Sequence, residues 1–369
     1  MDEEKRQAWE QSGGVYELMD GAGGDAAEVL LDVEDQRKIA AGKEYPLEAR
    51  LEAFEDIIDS EVGDTPLMRV RNIEREFGLR QIWLKFEGAN PSGTQKDRIS
   101  CAQAMDALRR GFDAVTVATC GNYGVAIGMA ASLAGLRCVI YIPETYRTKR
   151  IEEMEKMGAV IRRVPGDYET AVEVSREHAE REEIYDANPG GDNTAMQLRA
   201  YGGIAYELYD EMRDAPAVVS VPVSNGTTIA GIYRGFLSLY RRGKTSRMPR
   251  IVAGSSFNMN PIVKAWLKNS PECKDMMPER IHENPVNEPL VNWRSIDGDL
   301  ALEAVRKTGG WAGNASNKSM LAFAKMLKEH EGLNVLPAST AGLIAMVEGH
   351  RKNPLAGDRY ATIITGRKS

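Results

Sequence analysis

The sequence predicts an α/β protein of two domains, with mostly parallel twisted sheets and helices on both faces. Three observations carry that reading. Apolar runs of strand length alternate with stretches of helical periodicity from Thr65 onward. The chain has 369 residues, which fits two domains better than one. Its 4 cysteines are scattered without a C-x-x-C pair, so a buried core rather than disulfides or zinc must hold it together.

Residues 1–60 are acidic and irregular and read as an N-terminal extension, with GAGGDAAE (21–28) as a loop and PLEARLEAFEDIID (46–59) as a helix. The strand candidates then follow in order: QIWLKFE (81–87), AVTVAT (114–119), RCVIYI (137–142), AVIRRV (159–164), AVVSVPV (217–223) and RIVAGSS (250–256). Helical patterns lie between them, as over Asp97–Arg110, Val125–Leu133 and Ile229–Tyr240. A stretch rich in Pro and Asn (269–298) interrupts the alternation and reads as a long surface loop. A helix (339–352) and the strand YATIIT (360–365) complete the pattern.

The net charge of −7 gives no reason to expect nucleic acid as a partner. The basic clusters YRTKR (146–150) and YRRGKTSR (240–247) read as solvated surface. The start, MDEEKRQAWEQ, is charged from its second residue and has no signal-peptide core. Apolar runs such as VIYIP fall short of the roughly 18 residues that cross a bilayer. A soluble, reduced, cytoplasmic protein is expected, with no membrane partner. His178, His282, His330 and His350 read as surface residues, and no metal site is expected.

In open parallel sheets, ligands bind beyond the carboxyl ends of the strands, so the loops there are the place to look for chemistry. In GANPSGTQKDRIS (88–100), Lys96 stands at a helix N-terminus, where the macrodipole disfavours a cation and lowers its pKa. A neutral amine is what Schiff-base chemistry with a carbonyl needs, although a plain solvated lysine explains this stretch equally well. In ATCGNYGVAIG (118–128), a strand runs into Cys120, Gly121, Asn122 and Tyr123. Free amides at the following helix suit a carboxylate, although for this loop taken alone an ordinary turn with Asn122 as its cap is the better reading. In VVSVPVSNGTTIAGIYRGF (218–236), Ser224, Asn225, Gly226, Thr227 and Thr228 open an amphipathic helix as a phosphate cradle would. The spaced glycines of a dinucleotide fingerprint and the Gly-Lys-Ser/Thr of a P-loop are absent, which argues against a nicotinamide dehydrogenase. Lysine, carboxylate loop and phosphate cradle together match pyridoxal 5'-phosphate (PLP) holding an amino acid.

Over residues 60 to 369 the sequence resembles the threonine synthase and cysteine synthase group of PLP enzymes. NPSGTQKDRIS is similar to their Asn-Pro-x-Gly-Ser-Phe-Lys-Asp-Arg segment, which gives Lys96 the role of the cofactor-bearing and catalytic lysine. TCGNYG resembles their Ser-Gly-Asn-Thr loop. The resemblance thus implies Asn122 on the cofactor's phenolic oxygen and Cys120, Gly121 and Tyr123 around the substrate carboxylate. VPVSNGTTIAGIYRGF is similar to the threonine synthase phosphate loop, and LPASTAGLIAM (336–346) to Glu-Pro-Ala-Ser-Ala-Ala-Gly. TIITGRKS (362–369) resembles the Thr-Gly ending that places Thr365 on the pyridine nitrogen. The resemblance also implies a homodimer. It divides the chain into a larger cofactor-binding domain (61–95 and 190–369) and a smaller substrate-side domain (96–189), with PLP in the cleft between.

The departures are Gln95 for Phe or Val, Cys120 for Ser, Tyr123 for Thr and Leu336 for Glu. The arginine and Gly-Gln-Lys that threonine synthases place after Asn-Pro are replaced, with Gln197 and Gly202 at those places. A γ-phosphate therefore needs other cations, with Lys149, Arg150 and Arg199 as candidates, and Tyr123 narrows the site or offers its phenol to the reacting carbon. The expected reaction is that of threonine synthase, O-phosphohomoserine and water giving threonine and phosphate. The alternatives are a cysteine or cysteate synthase-like β-replacement on O-phosphoserine with sulfide or sulfite, and a catalytically idle PLP-binding relative.

Overall fold

A computed structural model describes residues 34–368 except 120, 148, 149 and 357. The expected loop at 21–28, the candidate Cys120 and the candidate Lys149 lie outside the described residues. The strands in chain order are β1 (Leu67–Arg69), β2 (Ile82–Phe86), β3 (Ala114–Ala118), β4 (Arg137–Pro143), β5 (Val160–Val164), β6 (Tyr185–Asp186), β7 (Val218–Pro222), β8 (Arg250–Ser256), β9 (Trp311–Ala315) and β10 (Tyr360–Ile364). The helices begin with α1 (34–41), α2 (Leu47–Glu61), α3 (Arg71–Phe77), α4 (Lys96–Arg109), α5 (Asn122–Leu133) and α6 (Arg150–Lys156). They continue with α7 (Tyr168–Arg181), α8 (Thr194–Met212), α9 (Thr227–Arg241), α10 (Pro261–Leu267), α11 (Gly298–Lys307), α12 (Asn317–Glu331) and α13 (Ala341–Lys352).

The strands form two sheets, one six-stranded in the order β1-β2-β10-β7-β8-β9 and one four-stranded in the order β5-β4-β3-β6. Every pairing is parallel except β1 with β2. The predicted α/β class therefore holds. Strands β1, β6 and β9 were not foreseen. The first two have three and two residues, and β9 carries Gly313 and Asn314, poor strand formers that its edge position tolerates.

Alternate residues of the six-stranded sheet feed two cores, as a sheet covered on both faces requires. Val219, Val221, Ile251 and Ala253 pack with α8 and α9, while Val218, Val252, Tyr360 and Ile364 pack with α12 and α13. The four-stranded sheet has its own core of Val115, Val117, Ile127 and Ile140, joined by Phe54 and Ile57 of α2. Tyr123 packs against the cores of both sheets.

Two expectations are corrected. The stretch 269–298 is irregular but not a surface loop, because Met276, Asn287, Leu290 and Asp297 are buried and tie it to the body. His178 is buried as well, edge-on to the Tyr141 ring. Among the described residues no helix is long and apolar enough to cross a membrane.

Candidate active site

The carboxyl ends of β2, β3, β7 and β10 lead into the turn before Lys96, the loop at 119–123, the loop at 223–228 and Thr365. Lys96 is the first residue of α4. Its backbone is held from both sides: Thr94 bridges to Gly366, the Gln95 N–H donates to the Thr365 carbonyl at 3.0 Å, and the Lys96 N–H donates to Thr94 Oγ1 at 3.2 Å. Its Nζ lies 5.5 Å from the Tyr123 ring centre and 5.9 Å from that of Tyr201. Among the described residues no carboxylate pairs with it, and burial pushes its pKa down to about 8. The direction agrees with the sequence reading, with burial as a cause that the sequence did not show.

Next to the lysine stands a buried ion-pair cluster. Arg98 Nε donates to Glu87 Oε2 at 2.6 Å and Nη2 to Glu207 Oε2 at 2.9 Å. Lys85 Nζ lies 2.9 Å from both Glu207 and Glu211. Burial opposes the Arg98 charge, and Glu87 and Glu207 more than offset it. Asp97 accepts the Ser92 amide at 2.7 Å and the Ser92 hydroxyl, while burial pushes its carboxyl up to about 6. The cluster ties α4 to β2 and α8, so the element that carries Lys96 cannot shift alone.

Gly121 caps α5 and Asn122 opens it. A Cβ at Gly121 would lie 3.3 Å from Glu288 Oε1, which also accepts the Tyr146 hydroxyl at 2.9 Å. Tyr123 donates its hydroxyl to the Ala187 carbonyl at 2.7 Å and accepts from Gln103 Nε2. Asn193 Nδ2 donates to Gln103 Oε1 at 2.8 Å, and Gln197 Nε2 to Asn193 Oδ1 at 3.1 Å. The Tyr123 phenol is thus committed to a buried amide network, and its ring rather than its hydroxyl meets Lys96. The expectation of a phenol offered to the reacting carbon is corrected.

The loop after β7 is pinned by its carbonyls. Asn260 Nδ2 and Ser295 Oγ each donate to the Ser224 carbonyl at 3.0 Å, and the Asp297 amide donates to the Asn225 carbonyl at 3.0 Å. Asn292 Nδ2 donates to Asn225 Oδ1 at 2.9 Å. Gly226 has φ of +99°, and a Cβ there would lie 2.6 Å from the Asp297 carbonyl oxygen, so only glycine fits. The amides of Ser224, Asn225 and Gly226 find no acceptor among the described residues. They open the 15-residue helix α9, whose dipole favours an anion there.

Thr227 and Thr228 part company. Thr227 donates its hydroxyl to Asp297 Oδ2 at 2.6 Å, so its share in a cradle falls to its amide. The Thr228 hydroxyl has the Tyr201 phenol beside it, and that phenol is buried without a well-formed hydrogen bond to any described group. Free amides and an orphaned buried donor at a helix N-terminus fit the phosphate of PLP. Thr365 is half-buried next to Gln95, and the Leu336 amide donates to the Gly366 carbonyl at 3.0 Å.

Two of the three candidate cations lie among the described residues. Arg199 is exposed on α8, and Arg150 pairs with Glu153 within α6. Among the described residues no cluster suited to a metal ion is found. Tyr201, Gln103, Asn193, Glu288 and Asp297 were missed by sequence reasoning. The replaced Gly-Gln-Lys segment was the one local signal that pointed toward Tyr201.

Known proteins bear on this arrangement. A profile of the family described as pyridoxal-phosphate dependent enzyme matches residues 58–366. Threonine synthase of Methanocaldococcus jannaschii is 28% identical over 295 residues, covering 77% of this chain and 69% of that enzyme. Threonine synthase of Bacillus sp. (strain ULM1) is 27% identical over 306 residues, covering 82% of each. The structure of maize serine racemase superposes with a TM-score of 0.70 at 20% identity, covering 86% of this chain and 94% of that one.

Proposed function

The chain belongs to the pyridoxal-phosphate dependent enzyme family, and from that premise we propose that it acts as threonine synthase does, releasing phosphate from O-phosphohomoserine and adding water to give threonine. The observation that carries the reading is Lys96, a half-buried amine with no counter-ion among the described residues, within 6 Å of two aromatic ring centres at the strand ends. The likeness to two threonine synthases supports the choice of reaction.

When bound, the cofactor supplies an electron sink for the pair left at the substrate's α-carbon. The chain's own residues do the rest. Lys96 takes the α proton, and its lowered proton affinity places it near the range a general base needs. The amides of Ser224, Asn225, Gly226, Thr227 and Thr228 hold the cofactor phosphate, Asn122 orients the ring, and Thr365 offers the ring nitrogen an uncharged hydroxyl. Gly121 and Tyr123 flank the substrate carboxylate. In this reading the six-stranded half is the cofactor domain and the four-stranded half the substrate-side domain.

A second reading is favoured by one observation. The Tyr123 and Tyr201 rings crowd Lys96 while Arg199 faces solvent, which suits a shorter amino acid better than one with a γ-phosphate. That reading is β-replacement on O-phosphoserine with sulfide or sulfite. The experiment is phosphate release and product analysis from O-phosphohomoserine and O-phosphoserine, each with and without sulfide or sulfite. Threonine from O-phosphohomoserine alone supports the first reading. Inert O-phosphohomoserine beside active O-phosphoserine replaces it with the second, and no release from either removes both.

A further inference from the structure

Tyr201 is among the largest fully buried side chains of the protein, yet its hydroxyl closes no well-formed hydrogen bond with any described group. A buried hydroxyl left in that state costs free energy, so native structures supply it with a partner. Its surroundings limit what the partner is. The ring lies 5.9 Å from Lys96 Nζ, and the hydroxyl lies beside Thr228 in the first turn of α9. Ser224, Asn225 and Gly226 present amides at that same helix start that find no acceptor among the described residues.

The position of the phenol is fixed by packing. A Cβ at Gly231 would lie 2.7 Å from Tyr201 Cβ and 2.8 Å from the Leu198 carbonyl oxygen, so α8 and α9 meet backbone to backbone there. Tyr201 therefore has little room to swing away from the start of α9. Burial holds the phenol protonated, which makes it a donor in search of an acceptor.

We propose that Tyr201 is a ligand of the cofactor's phosphate, its O–H donating to a phosphate oxygen alongside the amides at the start of α9. The inference rests on the reading of this loop as the PLP phosphate cradle. Hydrogen bonds to charged acceptors are the stronger kind, so the phenol adds to affinity rather than merely filling space. Its hydroxyl would be an uncompensated cost in the apoprotein and a gain in the holoenzyme.

That sign change is the test. Tyr201→Phe is prepared as apoprotein and as holoenzyme, with urea midpoints for both and dissociation constants for PLP and for pyridoxal, which lacks the phosphate. Both ligands form the same bond to Lys96, so that contribution cancels. The expected result is apoprotein at least as stable as wild type, PLP affinity lower by about tenfold and pyridoxal affinity unchanged. A destabilised apoprotein would mean that the hydroxyl already has a protein partner, and unchanged PLP affinity would mean that it does not touch the phosphate. An equal loss for both ligands would place the phenol on the ring instead; each of these three overturns the proposal. Wild-type protein that binds no PLP would instead remove the underlying reading, which keeps the two failures distinguishable.

Discussion

Lys85 and Lys96 are two lysines within one short stretch of chain, the first fully buried and the second half-buried, and they keep different company. Lys85 is fully buried, lies 2.9 Å from Glu207 and from Glu211, and donates to the Thr65 carbonyl at 2.5 Å. Lys96 has aromatic rings on two sides and no described carboxylate. Removing an ammonium from water disfavours its charge, and nearby carboxylates restore it. A paired lysine is thereby structural, and an unpaired one is left chemically available. The protein holds both solutions in adjoining elements, and their difference marks the site more sharply than burial does.

The largest effect that would break the comparison is Lys96→Met. Turnover should fall by about 10⁴-fold, because the general base is lost with the attachment point. Borohydride should cease to fix cofactor to the peptide that holds residue 96, as peptide mass analysis would show. If the label persists on another lysine, Lys96 is not the attachment point.

Lys85→Met should act through stability instead. Breaking a buried pair on one side leaves Glu207 partly uncompensated, at a cost of about 3–5 kcal/mol in urea unfolding. Cofactor retention by the folded fraction should stay near wild type. A loss of retention with no loss of stability would erase the distinction between the two lysines.

The pH response sharpens the contrast. The folded pKa of Lys96, about 8, lies below the 10.5 of an unperturbed lysine. Between those values the unfolded chain binds more protons, so this group makes the apoprotein more stable as pH rises, by at most about 1.4 kcal/mol per pH unit. Below pH 8 the full cost of burying the charge is present. The stability gap between Lys96→Met and wild type should therefore narrow from pH 8 to 10 in urea titrations. A gap independent of pH in that window would mean that Lys96 is solvated.

Smaller still is Tyr123→Phe. It removes the bond to the Ala187 carbonyl and strands Gln103 Nε2, costing about 1–3 kcal/mol of stability while keeping the ring beside Lys96. The smallest expected effect is that of Thr365→Val, which should slow turnover by the worth of one hydrogen bond, about 0.5–1.5 kcal/mol, and leave folding intact. Unchanged rates would point to another partner for the ring nitrogen.

The parts legible in the sequence were those whose signal is local. Runs such as Val218–Pro222 declare a strand by composition, and a lysine behind Asn-Pro-Ser-Gly-Thr declares a turn into a helix. Lys96, Asn122, the loop at 224–228 and Thr365 all sit at strand ends for that reason. What was not legible depends on segments far apart in the chain. The Thr227–Asp297 bond spans 70 residues and the Gln103–Asn193 bond 90, and neither partner announces the other. The stretch 269–298 looked like a surface loop because its prolines and asparagines suit irregular backbone, yet its Asn292, Ser295 and Asp297 hold the loop after β7. Nothing in the residues around Thr227 warned that its hydroxyl would be taken by Asp297.

The sheet order has a consequence for how the protein comes into being. Strand β10 lies between β2 and β7, with Tyr360 opposite both Ile82 and Val218. While the chain emerges from a ribosome, β2 and β7 each keep an unpaired parallel edge until β10 has been made. Pairings of such long sequence separation close slowly, and open edges recruit other chains in the meantime. The turn that holds Lys96 is fastened to residues just past β10, through Thr365 and Gly366. A nascent chain halted before β10 therefore lacks both the fastening of its reactive lysine and the strand that would close its sheet, and it is a natural client for a chaperone.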